Sequence, residues 1–137
     1  MYFKRDTDYA LRMMLCLAKD KISGGEGMML SRICRETNAP VTAAKRIMNQ
    51  FVESELADSC EKSNRTQVFY ISKPVEKLSL MDVFRSVEND TELLSGFEKE
   101  NLVYRKYSSL LPRIENTVYR QFENITLYDI LLDNEAS

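Results

Sequence analysis

Apolar residues recur along this chain at helical spacing, and two stretches break that rhythm. The first register predicts a helix from about Asp6 or Thr7, either of which can cap it, to about Lys19. It would turn Leu11, Met14, Leu15 and Ala18 inward, with Tyr9 near its start. Gly24, Gly25 and Gly27 then make a flexible connection. Leu30, Ile33 and Cys34 fall at i, i+3 and i+4 on one face of a second helix, which Asn38, Ala39 and Pro40 interrupt. A third helix places Ala44, Ile47, Met48, Phe51 and Val52 inward. Thr42, Ala43, Lys45, Arg46, Asn49 and Gln50 are left pointing outward. This is the pattern of a helix-turn-helix, although any α-helical hairpin shares it.

Residues Leu56 to Cys60 and Gln67 to Ile71 change period and read as two strands joined by the polar stretch Glu61 to Thr66. A hairpin directly after a helix-turn-helix is a wing, and Lys62, Asn64 and Arg65 lie at its tip. Two helix starts then follow one plan. LSLMDV pairs Ser79 with Asp82, and ITLYDI pairs Thr126 with Asp129, each a cap and a carboxylate three residues on. Between them a long amphipathic pattern runs from about Glu98 to Phe122. It carries Val103, Tyr107, Leu110, Ile114 and Val118 in one stripe, with Pro112 predicting a kink or break. A helix of that kind needs a partner surface, either its own copy in a twofold dimer or another part of the same chain. The expected architecture is mainly α with a small β-wing. A winged helix-turn-helix DNA-binding domain spans 1–75 and a helical dimerisation or effector region spans 76–137.

Composition narrows the function classes. No tract is long enough to span a bilayer and no apolar signal segment follows the first charges, so a cytoplasmic protein is expected. Net charge is −2, but Met1 to Lys73 holds 12 Lys/Arg against 9 Asp/Glu, whereas Pro74 to Ser137 holds 7 against 12. The basic excess sits with the helix-turn-helix. Lys4 and Arg5, with Arg12 beyond them, are either phosphate contacts or a solvated helix end. The chain has no histidine, and no nucleophile motif or carboxylate pair stands out, so an enzyme is not expected. Met81, Phe84 and Phe97 read as core, with a small-molecule site near them, between the post-wing helix and the long helix, as the alternative. The three cysteines, Cys16, Cys34 and Cys60, fit neither a disulfide framework nor a paired metal motif. Cys16 and Cys34 read as packed core thiols, and Cys60 as the candidate for oxidation. No metal site and no cofactor are expected.

The blocks DYALRMMLCLA, AP-VTAAKRIM, FVESELADS, VEKLSLMDVFRSVE and FENITLYDILLD, in this order and spacing, resemble the Rrf-two family of bacterial winged-helix transcription regulators. The resemblance covers nearly the whole chain. It implies a homodimer that binds a partly palindromic operator through paired recognition helices and wings, and that dimerises through the long C-terminal helix. Two departures stand out. The wing tip EKSNRTQVF lacks the family's glycines, and the segment NDTELLSGFEKENLVYRKY lacks the three cysteines that hold an iron–sulfur cluster in many members.

The residues and the resemblance together predict a cluster-free regulator whose partners are double-stranded DNA and a second copy, with no membrane partner and an unidentified small-molecule or protein effector. Thr42, Ala43, Lys45, Arg46 and Asn49 would read bases, while Lys4, Arg5, Arg32, Lys62, Asn64 and Arg65 would hold the backbone or groove. The alternatives are a winged-helix protein-interaction module without productive DNA binding, and a thiol-based redox regulator.

Overall fold

The computed structural model of the chain describes residues 5–87 and 111–136. Helix α1 (Arg5–Ile22) is the central element, packed on by helix α2 (Leu30–Thr37), helix α3 (Val41–Glu53) and the later helices. Its buried face is Ala10, Met13, Met14, Leu17 and Ala18, with Thr7. Met14 and Ala18 face inward as expected. Leu11 and Leu15 only flank the core, because a helix covered on several sides centres its seam on the run Ala10, Met13, Leu17. The described helix already includes Arg5, so Asp6 and Thr7 lie in its first turn and do not cap it.

The glycine connection is a built turn rather than a slack one. Asp20 organises it: its carbonyl accepts the Gly25 N–H at 2.8 Å, and its carboxylate accepts the Gly27 N–H at 3.1 Å. Gly27 adopts φ +112°, and a Cβ there would stand 3.1 Å from the Phe69 carbonyl oxygen and from the Val68 side chain. The close approach lets Met28 and Phe69 exchange two backbone hydrogen bonds of 2.8 Å, which fastens the connection to the hairpin behind it.

Helix α2 stops where Asn38 turns left-handed (φ 60°, ψ 26°), a conformation asparagine tolerates. Pro40 (φ −61°) precedes α3, and its carbonyl accepts the Ala44 N–H at 2.8 Å. The hairpin is antiparallel, β1 (Ala57–Glu61) with β2 (Gln67–Ile71), in register from Ala57↔Ile71 to Glu61↔Gln67. The first strand begins one residue later than its β-propensity indicated, because Glu55 turns (φ 63°) and Leu56 drops into the core.

After a 3₁₀ turn at Val75–Lys77 come α4 (Leu80–Val87), α5 (Leu111–Asn124) and α6 (Leu127–Ala136). Both expected capping boxes form. Ser79 Oγ accepts from the Asp82 N–H at 3.2 Å and Asp82 accepts from the Ser79 N–H at 3.0 Å; Thr126 and Asp129 do the same at 3.1 Å each. The two starts also hold each other, with the Leu80 N–H donating to the Ile125 carbonyl and the Leu127 N–H to the Leu78 carbonyl, both at 2.9 Å. Each start thus satisfies amides that a helix end leaves unpaired. Phe84 of α4 packs against Tyr119 and Phe122 of α5. Phe84 and Met81 are buried, as a core reading requires.

Pro112 falls within α5 at the edge of the described residues. Of the stripe assigned to dimerisation, Val118 is half-buried on α5 and Ile114 lies on the same helix; Val103, Tyr107 and Leu110 lie outside the described residues, as does Phe97. The result is a mostly helical fold with a two-stranded antiparallel wing, and no described helix is long and apolar enough to cross a membrane.

Candidate nucleic-acid interface

Helix α3 separates a sealed face from an open one. Ala44, Ile47, Met48 and Phe51 are each fully buried, so the rotation of the helix about its axis is fixed by packing. The open face carries Thr42, Lys45, Arg46 and Asn49, which line a shallow surface hollow of about 430 Å³ with Gln50 and Glu53. Ala43 is not part of it. It is buried, because it lies one turn before Ile47 and shares that residue's side of the helix, so its expected base-reading role is withdrawn. Gln50 is half-buried rather than outward. Val41, the first residue of α3, is instead exposed beside Thr42.

Arg46 has a partner that periodicity does not reveal. Its Nη2 donates to Asp6 Oδ2 at 2.5 Å, across the gap between α3 and the first turn of α1. A contact between residues this far apart in sequence leaves no local signature. Lys45 makes no ion pair among the described residues.

At the wing tip the glycine-free turn is explained by Arg65. The Arg65 N–H donates to the Lys62 carbonyl and the Lys62 N–H to the Thr66 carbonyl, both at 2.8 Å, and Arg65 occupies the left-handed position (φ 63°) that glycine ordinarily fills. The Asn64 carboxamide oxygen accepts the Thr66 N–H at 3.2 Å, so that atom serves the turn. Lys62 lies 3.5 Å from Glu26, while Arg65 is exposed and makes no ion pair among the described residues. Arg65→Gly should therefore separate folding from binding. Relief of left-handed strain, about 1 kcal/mol, should hold or raise the melting temperature. Loss of one cation should flatten the salt dependence of duplex affinity by about one unit. Thermal melts and titrations at several salt concentrations check both halves.

The other basic positions are not gathered here. Arg5 is exposed at the start of α1, and Lys4 lies outside the described residues. Arg12 pairs with Asp8 at 2.8 Å. Arg32 lines a separate groove of about 830 Å³ between α1 and α2, where it meets Glu36 at 3.1 Å and Asp20 at 3.8 Å.

Cys16 opens into that same groove and is half-buried rather than a sealed core thiol; Cys34 is likewise half-buried. The Cys16 thiol donates to Glu36 Oε2 at 3.1 Å. Burial first, and the carboxylate second, push its pKa from 9.0 up to about 12. The thiol bond and the Arg32 guanidinium in turn hold the Glu36 carboxyl below its ordinary range. A native pKa this high leaves Cys16 protonated until the solution is strongly alkaline. Its thiolate fraction at pH 8 drops about a thousandfold and each thiolate gains nucleophilicity, so alkylation should run roughly 30-fold slower than for an unperturbed thiol. Glu36→Gln should speed it. Peptide-resolved iodoacetamide labelling of the folded protein measures both rates.

Over residues 3–133 the sequence matches the family described as Rrf2, iron-dependent transcriptional regulator. No curated protein matches it. Among solved structures, T. potens IscR superposes with a TM-score of 0.78 at 17% identity, covering 100% of this chain and 91% of that one. CymR, the global cysteine regulator of B. subtilis, gives 0.73 at 20% identity and covers 95% of each chain. The oxidised form of Staphylococcus aureus CymR gives 0.71 at 22% identity, again covering 95% of each. At these identities the structural likeness is one of fold. Among the described residues no donor set matches the iron in the family's description. The chain has no histidine, its cysteines stand on α1, α2 and β1, and no three His, Cys, Asp or Glu groups among the described residues converge to hold a metal ion.

Proposed function

The chain belongs to the Rrf2 family of transcriptional regulators, and on that premise we propose that it is a sequence-specific DNA-binding regulator that works as a cytoplasmic homodimer without an iron–sulfur cluster. The observation that carries this reading is the division of α3. One face is locked into the core, and the other presents Thr42, Lys45, Arg46 and Asn49 around one hollow. Such a helix fits a major groove, where arginine and lysine match guanine, asparagine matches adenine, and threonine packs on the thymine methyl. Lys62 and Arg65 at the wing, with Lys4 and Arg5, would take the phosphates. In this reading residues 1–75 bind DNA, and residues 76–137 dimerise and receive an effector. Val103, Tyr107, Leu110, Ile114 and Val118 form the twofold seam. The absence of cysteine beyond Cys60 supports the cluster-free assignment.

A protein-interaction module is the second reading, favoured by the ion pairs that already occupy Arg46, Arg32 and Lys62. Titration of the full-length protein against duplex DNA from upstream of its own gene, at two salt concentrations, separates the two. The proposal predicts binding that weakens steeply with salt. Salt-insensitive or absent binding contradicts it.

A further inference from the structure

The Asp6–Arg46 pair joins the first turn of α1 to the open face of α3 through a 2.5 Å hydrogen bond, with the Arg46 side chain 54% exposed and that of Asp6 38% exposed. Exposed pairs of this kind add little to stability. The pair's larger consequence is for the guanidinium's charge. An arginine held against a carboxylate is close to neutral as a unit, so a phosphate approaching it gains little attraction and meets the carboxylate's repulsion. A guanine edge carries no net charge and offers two acceptors, N7 and O6. The bond to Asp6 uses one Nη2 hydrogen, and the remaining donors of the fork are not spent on Asp6. Lys45, one residue earlier and without an ion pair among the described residues, has no such carboxylate beside it and keeps its full charge.

We propose that Asp6 is a positioning residue for operator recognition: by pairing with Arg46 it steers the guanidinium from phosphates towards a base edge, so part of the sequence discrimination of α3 is encoded in α1. This rests on the DNA-binding reading above. Asp8 supplies a matched control, since it stands in the same turn but pairs with Arg12 of its own helix at 2.8 Å.

The test uses full-length wild type, Asp6→Asn, Asp8→Asn, Arg46→Ala and the Asp6→Asn/Arg46→Ala double variant. The probes are a duplex selected by the wild-type protein and a shuffled duplex of the same composition. Asp6→Asn should strengthen binding to the shuffled duplex roughly fivefold while leaving the selected duplex nearly unchanged, and steepen the shuffled-duplex salt slope by about one unit. Asp8→Asn should leave the ratio of the two affinities as in wild type, and Asp6→Asn should not alter that ratio in the Arg46→Ala background. Nuclear magnetic resonance of the DNA-free protein should show hindered rotation of the Arg46 guanidinium in wild type and free rotation in Asp6→Asn. Equal gains on both duplexes, or the same ratio change without Arg46, would overturn the proposal. So would a wild type that discriminates between duplexes while its Arg46 guanidinium rotates freely, and in that case the DNA-binding reading survives. A wild type that binds no duplex at all overturns both.

Discussion

Phe51→Ala should lower the free energy of unfolding by about 3–5 kcal/mol, the cost of emptying a fully buried aromatic site. Phe51 sits on the last turns of α3, and its carbonyl accepts the Leu56 N–H at 3.0 Å as the chain leaves for the wing. It therefore supports α3 from beneath and joins it to the hairpin. Domains of this size hold about 5–15 kcal/mol in total, so the variant should be marginal and should lose duplex binding in step with its fold. Ile47→Val, which removes one methylene from the same face, should cost about 0.5–1.5 kcal/mol and leave binding intact. Urea midpoints for the two variants, with binding assayed well below each midpoint, give the comparison.

Arg46→Ala should behave in the opposite way. The side chain is half exposed and its pair with Asp6 is solvated, so unfolding should change by no more than about 0.5 kcal/mol. Affinity for a selected operator should fall by about 1–3 kcal/mol, with relaxed preference at the base pair it reads. Equal losses on operator and unrelated duplex would assign Arg46 to the phosphates instead.

These two residues mark what could be read in advance. The inward position of Phe51 follows from apolar spacing on α3, and the turn at Asn38 and Pro40 follows from local backbone chemistry. Both capping boxes were legible for the same reason, since each closes within four residues. What escaped the sequence was set by contacts distant along the chain. Ala43 is small enough to suit either face, and only the packing around Ile47 decides that it is buried. In α1 the run MMLCLA is apolar nearly all round, so its spacing could not tell Met13 and Leu17 from Leu11 and Leu15. The joining of the two helix starts through Leu80, Ile125, Leu127 and Leu78 has no local signal, and neither has the partnership of Asp6 with Arg46. The missing wing glycine was visible, but not that Arg65 takes its left-handed place.

Selection of duplexes from a random pool by the full-length protein tests the account's central claim most directly. It predicts enrichment of a partly palindromic sequence whose half-sites are separated by about one helical turn, 10–10.5 base pairs, or a multiple of it, with salt-dependent affinity. A pool that stays random after successive rounds, with no salt-dependent retention of DNA, would contradict it.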